Sequence, residues 1–149
     1  MMNALATLIE NGLSDAAVTA VIDDLLVNNA FDDIDNKRCC IALAWQRESG
    51  NNGDVSDVSV SGDTVSMDGA EYRVLDKDER KEAWDESLEN YLDECVVGAN
   101  GPYFDRDAWK RDARMDGAGH CLSSYDGNEY EYCIKRGEFY EYWYIHRIN

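Results

Sequence analysis

The apolar residues of this chain change their spacing three times, and no single type of secondary structure accommodates all four patterns. Ala17, Val18, Val21, Ile22, Leu25 and Leu26 recur at helical intervals. Ser14 and Asp15 supply a small capping oxygen and an acid for the first turn, and Asn28-Asn29 closes the helix. A further helix is predicted from near Asp33 to about Glu48, with Ile34, Ile41, Ala44 and Trp45 inward, and Asn3 to Asn11 form a short helix stopped by Gly12. After a polar, Gly-rich loop at 49–53, Val55, Val58 and Val60, then Val65 and Met67, then Tyr72, Val74 and Leu75 are separated by Gly62-Asp63 and Asp68-Gly69. Short apolar runs joined by such pairs form an antiparallel meander.

Helical spacing returns between Asp76 and Val97, where Trp84, Leu88, Tyr91, Leu92 and Cys95 form one stripe, ended by Gly98 to Pro102. Phe104 to Met115 reads as another amphipathic helix, capped by Asp105 and stopped by Gly117. Strands follow at Glu129 to Ile134 and Phe139 to Ile148, joined through Lys135-Arg136-Gly137-Glu138. The expected class is α+β: N-terminal helices (about 1–48), a three-stranded antiparallel meander (about 55–75), two further amphipathic helices (about 76–116) and a C-terminal β-hairpin (about 129–148). The 149 residues suit a single domain, and 44% hydrophobic and 11% aromatic residues are too many for a disordered acidic tail.

Charge narrows the functional classes. Thirty-one acids stand against fourteen bases, a net charge of −17, which argues against direct binding of DNA, RNA or anionic lipid. No apolar run approaches the about 20 residues that span a bilayer, and the segment Met1 to Leu5 lacks a basic signal region. The cysteines at 39, 40, 95, 121 and 133 are odd in number and lack a Cys-x-x-Cys, so reduced thiols in a cytoplasm are expected.

The chemistry-bearing motifs are sparse. No phosphate-binding glycine loop, nucleophile elbow or His-Glu-x-x-His occurs. Asp33-Ile34-Asp35 begins like a calcium loop but lacks its glycine and terminal glutamate. His120, Cys121, Cys133 and His146 match no short zinc knuckle. Cys121 or Cys133 with His146 would make a nucleophile pair, although a histidine among strand aromatics more often serves structure. The expectation is a binding protein, with no catalytic residue, metal or cofactor.

The acidic surplus is uneven. Residues 1–36 carry seven acids and no base, residues 73–100 nine acids and four bases, and residues 101–117 four of each. Asp23, Asp24, Asp32, Asp33 and Asp35 cluster where one helix ends and the next begins. On the later helix Glu82, Asp85, Glu86, Glu89, Asp93 and Glu94 are placed on the side away from the Trp84–Leu92 stripe. Helical rows bring neighbouring carboxylates within roughly 5–6 Å and cost a few tenths of a kcal/mol per like pair. Duplex DNA carries about one charge per 1.7 Å of axis, so such rows offer a nucleic-acid-like face to a basic groove. Simple solvation of an acidic surface is the competing reading.

The C-terminal hairpin carries seven aromatics. One face of its last strand holds Phe139, Glu141, Trp143 and Ile145; the other holds Tyr140, Tyr142, Tyr144 and His146. One face suffices for packing, so Tyr140, Tyr142 and Tyr144 are a candidate interface, for a homodimer among other partners. A tyrosine face half covered by a helix is the alternative.

Tyr103-Phe104-Asp105-Arg106-Asp107-Ala108-Trp109-Lys110-Arg111-Asp112, followed by Gly119-His120-Cys121-Leu122-Ser123-Ser124-Tyr125-Asp126-Gly127, resembles a segment of small acidic phage and plasmid proteins. Its first part is similar to the Tyr-x-Asp-x-x-Ala-x-x-Arg-Asp stretch of ArdA-type antirestriction proteins, which are DNA mimics. The chain also resembles phage anti-CRISPR proteins acting on type I-F systems. The resemblance covers the last third of the chain and implies stoichiometric inhibition by binding. Its implied partner is a host CRISPR-Cas protein, the helicase-nuclease ahead of the crRNA-guided surveillance complex, or a type I restriction enzyme. Asp105, Arg111, Asp112 and Asp126 in this segment can equally cap helices and pin turns. Charge reversal at Asp85, Glu86 and Glu89 would then abolish inhibition, whereas Tyr142→Ala would matter more if the hairpin is the contact.

Overall fold

The computed structural model describes residues 15–29, 31, 33–48 and 58–149. Two helices, α1 (Asp15–Asn28) and α2 (Ile34–Glu48), precede strands β1 (Val58–Ser61), β2 (Thr64–Met67) and β3 (Ala70–Asp76). Helix α3 (Lys77–Cys95), helix α4 (Arg106–Ala113) with a 3-10 turn at Arg114–Asp116, and the short helix α5 (Ala118–Leu122) follow. The chain ends in the hairpin β4 (Tyr130–Arg136) and β5 (Phe139–Arg147). The fold is α+β. Asn3 to Asn11, Ser14, the 49–53 loop and Val55 lie outside the described residues.

All five strands form one antiparallel sheet in the order β1-β2-β3-β5-β4, so the hairpin docks its second strand against the meander. Asp68 and Gly69 turn the β2–β3 hairpin with φ of 50° and 91°; a two-residue loop with both φ positive matches the right-handed strand twist. Val65 pairs with Tyr72, and Val74 with Ile145, which puts apolar side chains in register on one face. That face, with Met67, Tyr132, Ile134 and Trp143, packs against Ile22 and Leu26 of α1 and Cys39 to Ala44 of α2.

The opposite face meets α3 and α5. Leu75 packs there with Ala118 and Leu122, flanked by Ala83, Trp84 and Cys121. Strand β3 runs into α3 without a loop because Asp76 closes a capping box: Glu79 N–H donates to its carboxylate at 2.8 Å, and its own N–H donates to Glu79 Oε1 at 3.0 Å. Helix α1 has no base in its last turn. Its terminal carbonyls are bound instead by the Arg136 guanidinium, which donates to Leu26 O at 2.8 Å and to Val27 O at 3.2 Å.

Several inward expectations are overturned. Ile34 is exposed because it is the first residue of α2, which enters the core only from Arg38. Val21 lies on the outer side of α1, while Ile22 and Leu26 face the sheet. On α3, Leu88 and Leu92 are buried and Trp84 half-buried, but Tyr91 and Cys95 are exposed, lining a cleft beside Trp109 and Cys121. Phe139 shares a face with Trp143 yet is 80% exposed at the hairpin tip.

Candidate functional site

The six α3 acids divide by what faces them. Asp85, Glu89 and Asp93 stand one turn apart, and Arg106, Lys110 and Arg114 stand one turn apart on α4 and the turn after it. The two rows meet antiparallel: Arg106 reaches Glu89 and, at 3.0 Å, Asp93; Lys110 reaches Glu89 at 2.6 Å and Asp85 at 3.0 Å; Arg114 reaches Asp85 at 2.9 Å. Lys110 and Arg106 hold the Glu89 carboxyl down at about 2. These three acids are joints between helices. The resemblance segment supplies two of the cations, Arg106 and Lys110, and Asp105 caps α4 by accepting from Ala108 N–H at 3.0 Å. A test of the acidic face by Asp85 or Glu89 reversal would therefore disrupt α3–α4 packing.

Glu82, Glu86 and Glu94 are exposed and make no ion pair among the described residues. Asp23, Asp24, Asp33 and Asp35 are likewise exposed without an ion pair. Asp24 accepts from Asn28 Nδ2 at 2.9 Å, and Asp33 accepts from Asn36 N–H at 2.8 Å, opening α2. Asp32 lies outside the described residues. The two groups sit on helices packed against opposite faces of the sheet. The helices are linked where Arg38 of α2 ion-pairs with Glu79 in the first turn of α3; Asp35 is one turn before Arg38, and Asp78 is next to Glu79.

Three bases of α2 and α3, Lys37, Arg38 and Arg80, turn to internal partners. Arg38 is buried, donates to Val74 O and Glu79, and lies 5.5 Å from the Trp143 ring centre. Lys37 reaches Glu141 at 2.9 Å. Glu141 also accepts from Arg136 at 2.7 Å and from Trp143 Nε1 at 2.6 Å, and its carboxyl lies at about 2 because these three bonds outweigh burial. Arg80 grips Glu129 with two 2.7 Å bonds and lies over the Tyr144 ring at 4.4 Å. Exposed bases without a partner are fewer among the described residues: Lys77, Lys81, Arg111 and Lys135.

The tyrosine face splits too. Tyr144 is half covered by Arg80 and α3, while Tyr140 and Tyr142 remain exposed beside Phe139. His146 at the far end is fully buried, its Nε2 2.8 Å from Glu129 and its Nδ1 without a hydrogen-bond partner. The Glu129–Arg80–His146 cluster leaves no local trace in the sequence, since its members are separated by at least 17 residues.

A cleft of about 510 Å3 opens between α3, α4 and α5. Its wall is the Tyr91–Trp109 stack (5.7 Å between centres, 16° between planes), and Glu94, Asp116, His120 and Cys121 line it as well. Among the described residues no histidine nitrogen is within hydrogen-bonding reach of a thiol, and no three His, Cys, Asp or Glu side chains are grouped to hold a metal ion. No helix among the described residues is long and apolar enough to cross a membrane. Comparison with protein-family models, curated proteins and solved structures finds no significant match to this chain.

Proposed function

We propose that this chain is a phage anti-defence protein that inhibits type I-F CRISPR-Cas interference in the host cytoplasm by stoichiometric binding, its acidic surface competing with DNA for the Cas helicase-nuclease. One observation carries the reading: Lys37, Arg38 and Arg80 are spent on internal partners, whereas Asp23, Asp24, Asp33, Asp35, Glu82, Glu86 and Glu94 are exposed without an ion pair and outnumber the unpaired exposed bases among the described residues. Like charges arranged so cost folding free energy, and they attract a groove built to hold phosphates. No turnover is involved.

The exposed trio Phe139, Tyr140 and Tyr142 favours a second reading, a protein that docks through its hairpin with the acids serving solubility. Titration of the protein into a purified type I-F helicase-nuclease carrying labelled single-stranded DNA separates the two. Displacement near one-to-one, weakened by salt and by Glu82→Lys/Glu86→Lys or Asp23→Lys/Asp24→Lys, supports the acidic face. Loss on Tyr142→Ala alone supports the hairpin. No displacement at large excess removes this target and directs the same titration to the surveillance complex and to a type I restriction enzyme.

A further inference from the structure

Strand β4 is an edge of the sheet: among the described residues it pairs only with β5. It is seven residues long, Tyr130 to Arg136, and its outer backbone groups have no strand beside them. An edge of this length is a template for another strand.

We propose that β4 pairs antiparallel with β4 of a second copy of this chain, about a two-fold axis at Cys133. Two features of the strand select this occupant and this register. First, an antiparallel pair related by a two-fold axis keeps like faces together, so the axis passes beside one residue; only Cys133, the middle of the strand, leaves all seven residues paired. Second, that register is complementary in charge. Glu131 then lies opposite Lys135 of the second copy, and Lys135 opposite its Glu131, on the sheet face where both are exposed. Moving the axis to Tyr132 or Ile134 sets Glu131 or Lys135 against Cys133 and loses both pairs. On the other face Tyr130 meets Arg136, and Tyr132 meets Ile134.

Among the described residues no strand lies beyond β4. Helix α1 lies over β4 on the opposite face from Glu131, fixed by Arg136, and exposes Val21 and Val27. The interface runs along the outer edge of β4, beside Tyr140 and Tyr142, which pair with Lys135 and Cys133 on the same sheet face, and it does not rest on the inhibitor reading.

The axis brings two Cys133 residues opposite each other, with Cα atoms about 4.5–5.5 Å apart in either type of antiparallel pair. A disulfide spans that distance. In a Cys95→Ser/Cys121→Ser background, oxidation by copper-phenanthroline and dioxygen is expected to give a covalent dimer through Cys133; the two thiols give up two protons and two electrons to dioxygen. Sedimentation velocity is expected to show a reversible dimer at about 100 µM protein, the range for a small interface. Glu131→Lys and Lys135→Glu should each weaken it about tenfold, because each substitution turns two cross-strand pairs repulsive. The double swap Glu131→Lys/Lys135→Glu should restore it, a rescue that a folding defect does not mimic. A monomer at about 0.5 mM overturns the proposal. So does a dimer that neither cross-links through Cys133 nor responds to the swap.

Discussion

Glu129 is the residue through which α3 is tied to the hairpin, and Glu129→Gln tests that tie. Its carboxylate accepts two 2.7 Å bonds from Arg80 of α3 and faces His146 Nε2 of β5 at 2.8 Å. Burial pushes its pKa up, but His146 and Arg80 outweigh burial and bring it from 4.5 to about 2. One pKa unit corresponds to about 1.4 kcal/mol, so the gross preference for the charged form is about 3 kcal/mol. The side chain is 21% exposed, and solvent screening reduces this to roughly 2 kcal/mol. Glutamine keeps an acceptor but not the charge, so the expected loss at pH 7 is about 2 kcal/mol, or about 4–8 °C in Tm for a chain of this size. The pH dependence carries the sharper sign. A lowered folded-state pKa gives stability that is complete above the unfolded value of 4.5 and disappears as pH falls through about 2. Urea unfolding followed by circular dichroism at pH 7 and pH 3 should therefore show the gap between wild type and Glu129→Gln shrinking by more than half. A gap below about 0.5 kcal/mol at pH 7, or one that is undiminished at pH 3, would refute the assignment of this carboxylate as the tie.

Three further outcomes follow from the packing. Gly119→Ala should destabilise by about 3 kcal/mol in urea, because a Cβ there would sit 2.7 Å from backbone atoms of Gly127, Asn128 and Glu129; wild-type stability in the variant contradicts that close approach. Asp85→Lys/Glu89→Lys should lower Tm by opposing Lys110 and Arg106, whereas Glu82→Lys/Glu86→Lys, which removes an uncompensated pair, should hold or raise it; differential scanning calorimetry reads both, and the opposite order would undo the division of α3 acids. Burial raises the Cys40 thiol from 9.0 to about 12 and, with help from Asp35, Cys39 to about 11. The unfolded thiols ionise first, so stability should fall as pH rises above 9, and Cys40→Ala should flatten that fall in urea midpoints between pH 8 and 10.5.

Local rules reached the architecture because each strand boundary here is written in adjacent residues. Gly62-Asp63, Asp68-Gly69 and Gly137 mark turns that the structure contains, and alternation within β5 groups Trp143 with Ile145, which the structure buries together, although it also set the buried His146 on the opposite face. Helix α5 was not legible, since Gly117 and Gly119 are poor helix formers and the segment has only five residues. Gly119 is there for a different reason, the contact of α5 with the 127–129 backbone. Periodicity likewise placed Tyr91 and Cys95 in a stripe, but it cannot say that this end of the stripe lines an open cleft instead of the core.

The acidic face was harder to read, although a signal existed. Taken alone, α3 shows a row of like charges that looks uncompensated. The neutral segment 101–117 carries bases at 106, 110 and 114, the same interval of four as the acids at 85, 89 and 93, and two helices with matched intervals interlock when antiparallel. A net count over the segment hides this, because Asp107 and Asp112 cancel cations that point elsewhere. What remains after pairing is smaller than the sequence suggested and differently placed: Glu82 and Glu86 on α3, Glu94 beside the cleft, and the aspartates of α1 and α2 across the sheet. Under the proposed function, this acidic surface would meet a basic groove through two separated patches, on α3 and on α1–α2. Reversing either patch alone should then weaken binding, while reversing both removes the electrostatic attraction altogether.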